Sequence, residues 1–112
     1  MRRRRTPPDG AGPQKRDSGT WQTVNGVVVR LLSDDDEDGR HQRFIVNVRG
    51  GQTLLVAHNL GLADRVPVGL GDRVTLRGIY EWNDFGGLIH WTHDDPMGDD
   101  GGYIEHRRQR YR

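Results

Sequence analysis

The chain has 112 residues, 29% of them charged and 32% hydrophobic, with a mean hydropathy of -0.87, so it allows one domain with an economical core. It has no cysteine, which excludes disulfides, thiolate catalysis and cysteine-ligated zinc, and no apolar run approaches the ~18 residues of a membrane-spanning helix. The formal charge of +1 hides a segregation: residues 21–105 hold 7 basic and 14 acidic side chains, a net -7, between basic ends.

Residues 1–20 are rich in Arg, Pro, Gly and Asp and lack apolar periodicity, which predicts a disordered basic arm. Its run Arg2 to Arg5 suits bidentate pairing with phosphate, but four arginines carry little specificity. With 16 glycines and 5 prolines in the chain, short strands and many turns are expected thereafter. Residues 21–32 read as a first strand with apolar residues on both faces, as a curved barrel strand requires. Gly26 within it marks a bulge or a close approach of backbones. Residues 33–40 are an acidic loop. Asp34, Asp36, Asp38 and Gly39 match the opening of a calcium loop, but Ile45 stands where the bidentate glutamate belongs, so a solvated turn is the better reading.

Phe44, Val46 and Val48 define one face of a second strand over 41–49, and Gly50-Gly51 is a primed hairpin turn into a third over 52–57. The stretch 58–66 accommodates one short helical turn, ended by Pro67 and Gly69. A fourth strand follows Gly71-Asp72, with Val74, Leu76, Gly78 and Tyr80 on one face. The polar loop 81–87 carries Trp82 and Phe85, and 88–92 forms the fifth strand. A loop rich in Asp and Gly then leads to a short segment 103–106 and a basic C-terminal tail, 107–112. Three strands, a linking turn and a final hairpin give the order of an OB-fold, an all-β, five-stranded Greek-key barrel spanning 21–106. The long connection lies after the third strand, which argues against an SH3-like barrel.

Several pieces of the chain occur together in a known family: Ala57-His58-Asn59-Leu60, Tyr80-Glu81-Trp82-Asn83, Gly86-Gly87, His90-Trp91-Thr92-His93, Asp95-Pro96 and Gly101-Gly102-Tyr103-Ile104-Glu105-His106. From His41-Gln42-Arg43-Phe44 onward the chain resembles a small bacterial family with a His-Trp-Thr-His signature, domain of unknown function 3465. The resemblance implies an OB-fold-like barrel and transfers no mechanism. Many members look exported. The basic N-terminal stretch of this chain precedes no apolar segment, so as it stands a cytoplasmic protein is expected.

Three kinds of site follow from the residues. Arg43, Arg49, Arg73 and Arg77 can form an outward basic stripe with Trp82, Phe85 or Trp91 as stacking platforms, the pattern of a single-stranded nucleic-acid binder. Against it, the loops that OB-folds often use for gripping carry Asp34 to Asp38, and Glu81 with Asp84, which repel phosphate. The competing reading of these aromatics is core packing, and it is the favoured one for Tyr80 and Trp91. His90, His93 and Asp95 offer divalent-metal ligands or a hydrolase cluster if the chain bends at Thr92, with His58 and His106 as further donors. No residue presents itself as a nucleophile, and the competing reading is that these histidines bond to loop backbone. A non-catalytic module with a protein or small-ligand partner ranks first, with no cofactor and no membrane. Nucleic-acid binding is expected to be weak and dependent on the arginine tails.

Overall fold

The alternation of apolar and polar residues sets each strand's inner face, and the strand pairing then closes those faces on one another. The structure, a computed structural model, describes residues 12–98 and 100–112. Its strands are β1 (Thr20–Leu31), β2 (His41–Val48), β3 (Thr53–Asn59), β4 (Arg73–Glu81), β5 (Leu88–His90), β6 (Tyr103–His106) and β7 (Gln109–Tyr111). Neighbours run β1-β2-β3-β5-β4-β6-β7, and β1 also pairs with β4. That last pairing closes a five-stranded barrel with OB-fold strand order, in which only β3 and β5 run parallel.

β1 serves two partners because it is long and bent. Thr20 to Val27 pair with β4, and Gly26 to Leu31 pair with β2. Gly26 belongs to both ladders. A Cβ there would stand 3.0 Å from the Val46 Cβ, so of the two roles expected of this glycine the close approach is the real one. The bulge falls between Val28 and Arg30, where the ladder to β2 slips. Inside lie Val28, Phe44, Val46, Leu54, Val56, Leu76, Tyr80, Ile89 and Ile104, all at most 1% exposed. Val66 plugs one end of the core from the link between β3 and β4. Its amide donates to the Gln42 side-chain oxygen and its carbonyl accepts from the Gln42 side-chain nitrogen, each at 2.8 Å, so a buried polar side chain is satisfied by one residue.

The link itself is a single tight turn on the Asn59 carbonyl, which accepts from Leu62 and Ala63. The chain then extends toward Pro67, so no helix develops. The one 3-10 turn among the described residues is Lys15–Asp17.

Of the arm expected over 1–20, residues 1–11 lie outside the described residues, whereas 12–20 are packed on the barrel. Pro13 is buried and its carbonyl accepts from Gln52; Gln14 and Asp17 cap each other; Ser18 Oγ accepts from the Trp82 amide. The C-terminal residues expected as a tail also fold back. Arg107 and Arg108, at φ 51° and 69°, make the turn between β6 and β7. Tyr111 packs against the core, and Arg110 lies over the Tyr103 ring at 4.0 Å. Among the described residues no helix is long and apolar enough to cross a membrane.

Candidate ligand trough

β5 ends at His90, two residues earlier than its apolar run predicts, and the chain then turns sharply. Trp91 takes φ 59°, a left-handed conformation that costs a bulky residue about 1–2 kcal/mol. Continuing the strand would send Trp91 inward beside Ile89. The turn sends it outward instead, so the indole assigned to the core is 45% exposed. Gly101 and Gly102 make room for this turn: a Cβ on Gly102 would stand 2.3 Å from the Trp91 carbonyl oxygen, and one on Gly101 2.4 Å from that of His93. The Gly102 amide donates to the His93 carbonyl at 2.7 Å, holding the two segments together.

The same turn brings His90 and His93 to one open trough of about 390 Å³. It is lined by Asp35, Glu37 and Asp38 from the loop between β1 and β2, by Arg43 on β2 and Ala57 on β3, and by Trp91 after β5. The loop is tied down by paired backbone bonds between Asp35 and His41, at 2.8 and 3.0 Å, and by an ion pair from Asp34 to Arg65. Asp38, at φ 54°, and Gly39 reverse it over the trough. Arg43 Nε donates to the Ser33 carbonyl at 2.9 Å, which holds the guanidinium against the loop.

Hydrogen bonds fix the histidine tautomers. His41 Nδ1 and His93 Nδ1 meet the carbonyls of Gly39 and Asp94 at 2.9 and 2.8 Å; a carbonyl only accepts, so each Nδ1 carries the proton. His93 is 3% exposed, and its ring lies 5.4 Å from that of Trp91, tilted by 39°. Behind them His58 is fully buried. Its Nε2 donates to the Asp64 carbonyl at 2.9 Å, and its Nδ1 accepts from the Thr92 hydroxyl at 2.8 Å. Burial pushes the His58 pKa down, reinforced by the nearby His93 and His41, although its bond to the Asp64 carbonyl acts in the opposite sense. The neutral ring therefore joins β3, the β3–β4 link and the Trp91–Thr92 turn.

The other candidate residues stand elsewhere. Asp95 accepts from the Met97 amide and lines a separate hollow with Arg77 and Tyr103. His106 is buried against Asp72, with Nε2 and Oδ2 2.8 Å apart. The Gly69 amide and then His106 hold the Asp72 carboxyl below its ordinary pKa. His90 makes a loose 3.4 Å contact with Glu81. Among the described residues no three of His, Asp and Glu are grouped to hold a metal ion. The four arginines are spread around the barrel. Arg43 is in the trough, Arg49 and Arg73 border a groove over β1, and Arg77 lies over the Trp21 ring at 5.0 Å and donates to the Gly101 carbonyl. Trp82 carries Lys15 on its ring at 4.7 Å, and Phe85 is 86% exposed on the β4–β5 hairpin; neither lines the trough. The sequence did not mark His41 as a site residue, and Asp34 to Asp38 read as a solvated turn that fails as a calcium loop and repels phosphate. Their position at the mouth of the first hairpin was the available signal.

Fold and site together define a closed β-barrel with an acidic, aromatic-walled trough on β2 and β3. The family model of "Protein of unknown function (DUF3465)" matches residues 14–112, and the chain belongs to that family. No curated protein and no solved structure matches it.

Proposed function

We propose that the protein is a non-catalytic binding module that takes a cationic group of a protein or small ligand into this trough. The observation carrying the proposal is Trp91: an indole left 45% exposed by a strained backbone, lining the same trough as Asp35, Glu37 and Asp38. Its acids and its arginine, three carboxylates and one guanidinium, give the trough a formal charge of -2. A cation between an indole face and carboxylates gains from both the ring quadrupole and the ion pairs. The same charges oppose a phosphate chain, which makes nucleic acid the weaker reading for this face.

An oligo-arginine peptide titrated against the full chain, followed by tryptophan fluorescence, tests the proposal, with an oligo-glutamate peptide and an oligodeoxythymidylate as comparisons. The arginine peptide should bind, and Trp91→Ala should weaken it by about 1–2 kcal/mol. Asp35→Asn should weaken it further, whereas Trp82→Phe should not. Equal binding by the parent and Trp91→Ala would refute the proposal.

A further inference from the structure

A second groove lies on the outside of the barrel where β1 is shared. Residues with the same strand parity point outward there: Asn25 and Val27 from β1, Asn47 from β2, Arg73 and Thr75 from β4, and Glu105 from β6; Arg49 just after β2 and Arg107 in the β6–β7 turn complete the lining. In register, Val27 stands between Asn47 on one side and Arg73 on the other, and Thr75 faces Glu105. The groove encloses about 650 Å³ and is open to solvent along β1. Val27, 37% exposed, is its floor.

The charge of this groove departs from that of the barrel around it. Residues 21–105 average one basic side chain for every two acidic ones, yet here three arginines meet one carboxylate. That carboxylate, Glu105, is drawn to Arg110 on β7, with Nε 3.1 Å from Oε1. Arg73 makes no ion pair or side-chain hydrogen bond among the described residues. The Arg107 guanidinium reaches only to 3.8 Å from Asp72 and its side chain is 78% exposed. Arg107 is also held in place at an energetic cost, since φ 51° is a left-handed conformation for a residue with a Cβ. The β6–β7 turn thus presents a cation to the groove, and Asn25, Asn47 and Thr75 add neutral polar groups between the walls. Arginines on strands either side of β1 are separated at the backbone by about two strand spacings, roughly 10 Å. Long guanidinium side chains converge across such a gap on a ligand that fills it, and their planar forks match phosphoryl oxygens.

We infer that the groove over β1 is an anion site that binds phosphate groups of a phosphorylated ligand between Arg73, Arg49 and Arg107. It is separate from the trough, it has the opposite charge, and it does not depend on the function proposed there. Adjacent phosphates suit its length better than a single small anion. They can come from a small pyrophosphate-bearing molecule or from successive phosphodiesters of a nucleic-acid strand; the chemistry recognised is the same.

Calorimetric titration of the full chain with sodium pyrophosphate tests this site. The parent should bind, and added salt should weaken binding as expected for ion pairs. Arg73→Gln and Arg107→Gln should each weaken it about tenfold, the equivalent of one charge-assisted hydrogen bond. Arg40→Gln, on the β1–β2 loop, should leave it unchanged. Unfolding midpoints of the variants establish that the exposed substitutions leave the fold intact. An oligodeoxythymidylate that binds with the same arginine dependence, and that pyrophosphate displaces, assigns the phosphates to a nucleic-acid strand. Failure of the oligonucleotide alone assigns them to a small ligand. Absence of pyrophosphate binding, or equal binding by the parent, Arg73→Gln and Arg107→Gln, would overturn the inference.

Discussion

Replacing His58 by Ala removes the side chain that connects three segments of the barrel's site end. The imidazole is fully buried and makes two hydrogen bonds, to the Thr92 hydroxyl at 2.8 Å and the Asp64 carbonyl at 2.9 Å. Thr92 is itself fully buried, so truncation leaves a hydroxyl without a partner or access to water, at about 1–3 kcal/mol. The Asp64 carbonyl loses its partner as well, and the vacated ring leaves a cavity. Together these predict a loss of about 4 kcal/mol, a large fraction of the ~5–15 kcal/mol that holds a domain folded. With a urea m value of about 1.5 kcal/mol/M, the unfolding midpoint should fall by about 2–3 M. His58→Gln keeps a donor and an acceptor and should lose less.

The pH dependence follows from the lowered His58 pKa. Above ~6.5, the ordinary histidine value, the ring is neutral in both folded and unfolded chains and contributes no slope. Below it the unfolded chain binds a proton that the folded protein resists, so stability falls with falling pH until the lowered folded-state pKa is passed. Both variants should lose this part of the slope. The assay is urea unfolding by tryptophan fluorescence at several values between pH 5 and 8. A loss under about 1 kcal/mol for His58→Ala at pH 7.5, or identical slopes for parent and variants, would show that the buried ring does not clamp these three segments together.

Gly87→Ala should destabilise the barrel by about 3 kcal/mol in the same assay: Gly87 has φ 109°, and a Cβ would stand 2.3 Å from the buried Tyr80 ring, combining strain with overpacking. Zinc in excess should leave the melting temperature unchanged by calorimetry, since Asp95 lines a different hollow and His90 and His93 have no grouped third ligand among the described residues; a rise abolished by His93→Ala would establish a metal site there.

The sequence by itself determined the parts of this protein governed by local periodicity. Phe44, Val46 and Val48 alternate with polar residues, as do Val74, Leu76 and Tyr80, and both sets are buried because a strand's side chains change face at every residue. The long link after β3 and the final hairpin were enough to order the five barrel strands, because short connections leave few ways to pair them. Alternation also pointed the four arginines outward, but it holds no information on position around the barrel. Only closure of β1 on β4 put Arg73 across β1 from Arg49, and left Arg43 among carboxylates and Arg77 on Trp21. The basic C-terminal residues looked like a tail because their one apolar anchor, Tyr111, gains only from the core it packs against. At Trp91 the local pattern pointed inward and tertiary structure overruled it. Gly101 and Gly102, ten residues downstream, admit the backbone of Trp91 and His93 so closely that β5 stops at His90 and the indole turns to solvent. The trough gathers the acidic loop, His41, Trp91 and His93 from segments far apart in the chain, and such convergence is set by long-range contacts that no local pattern records.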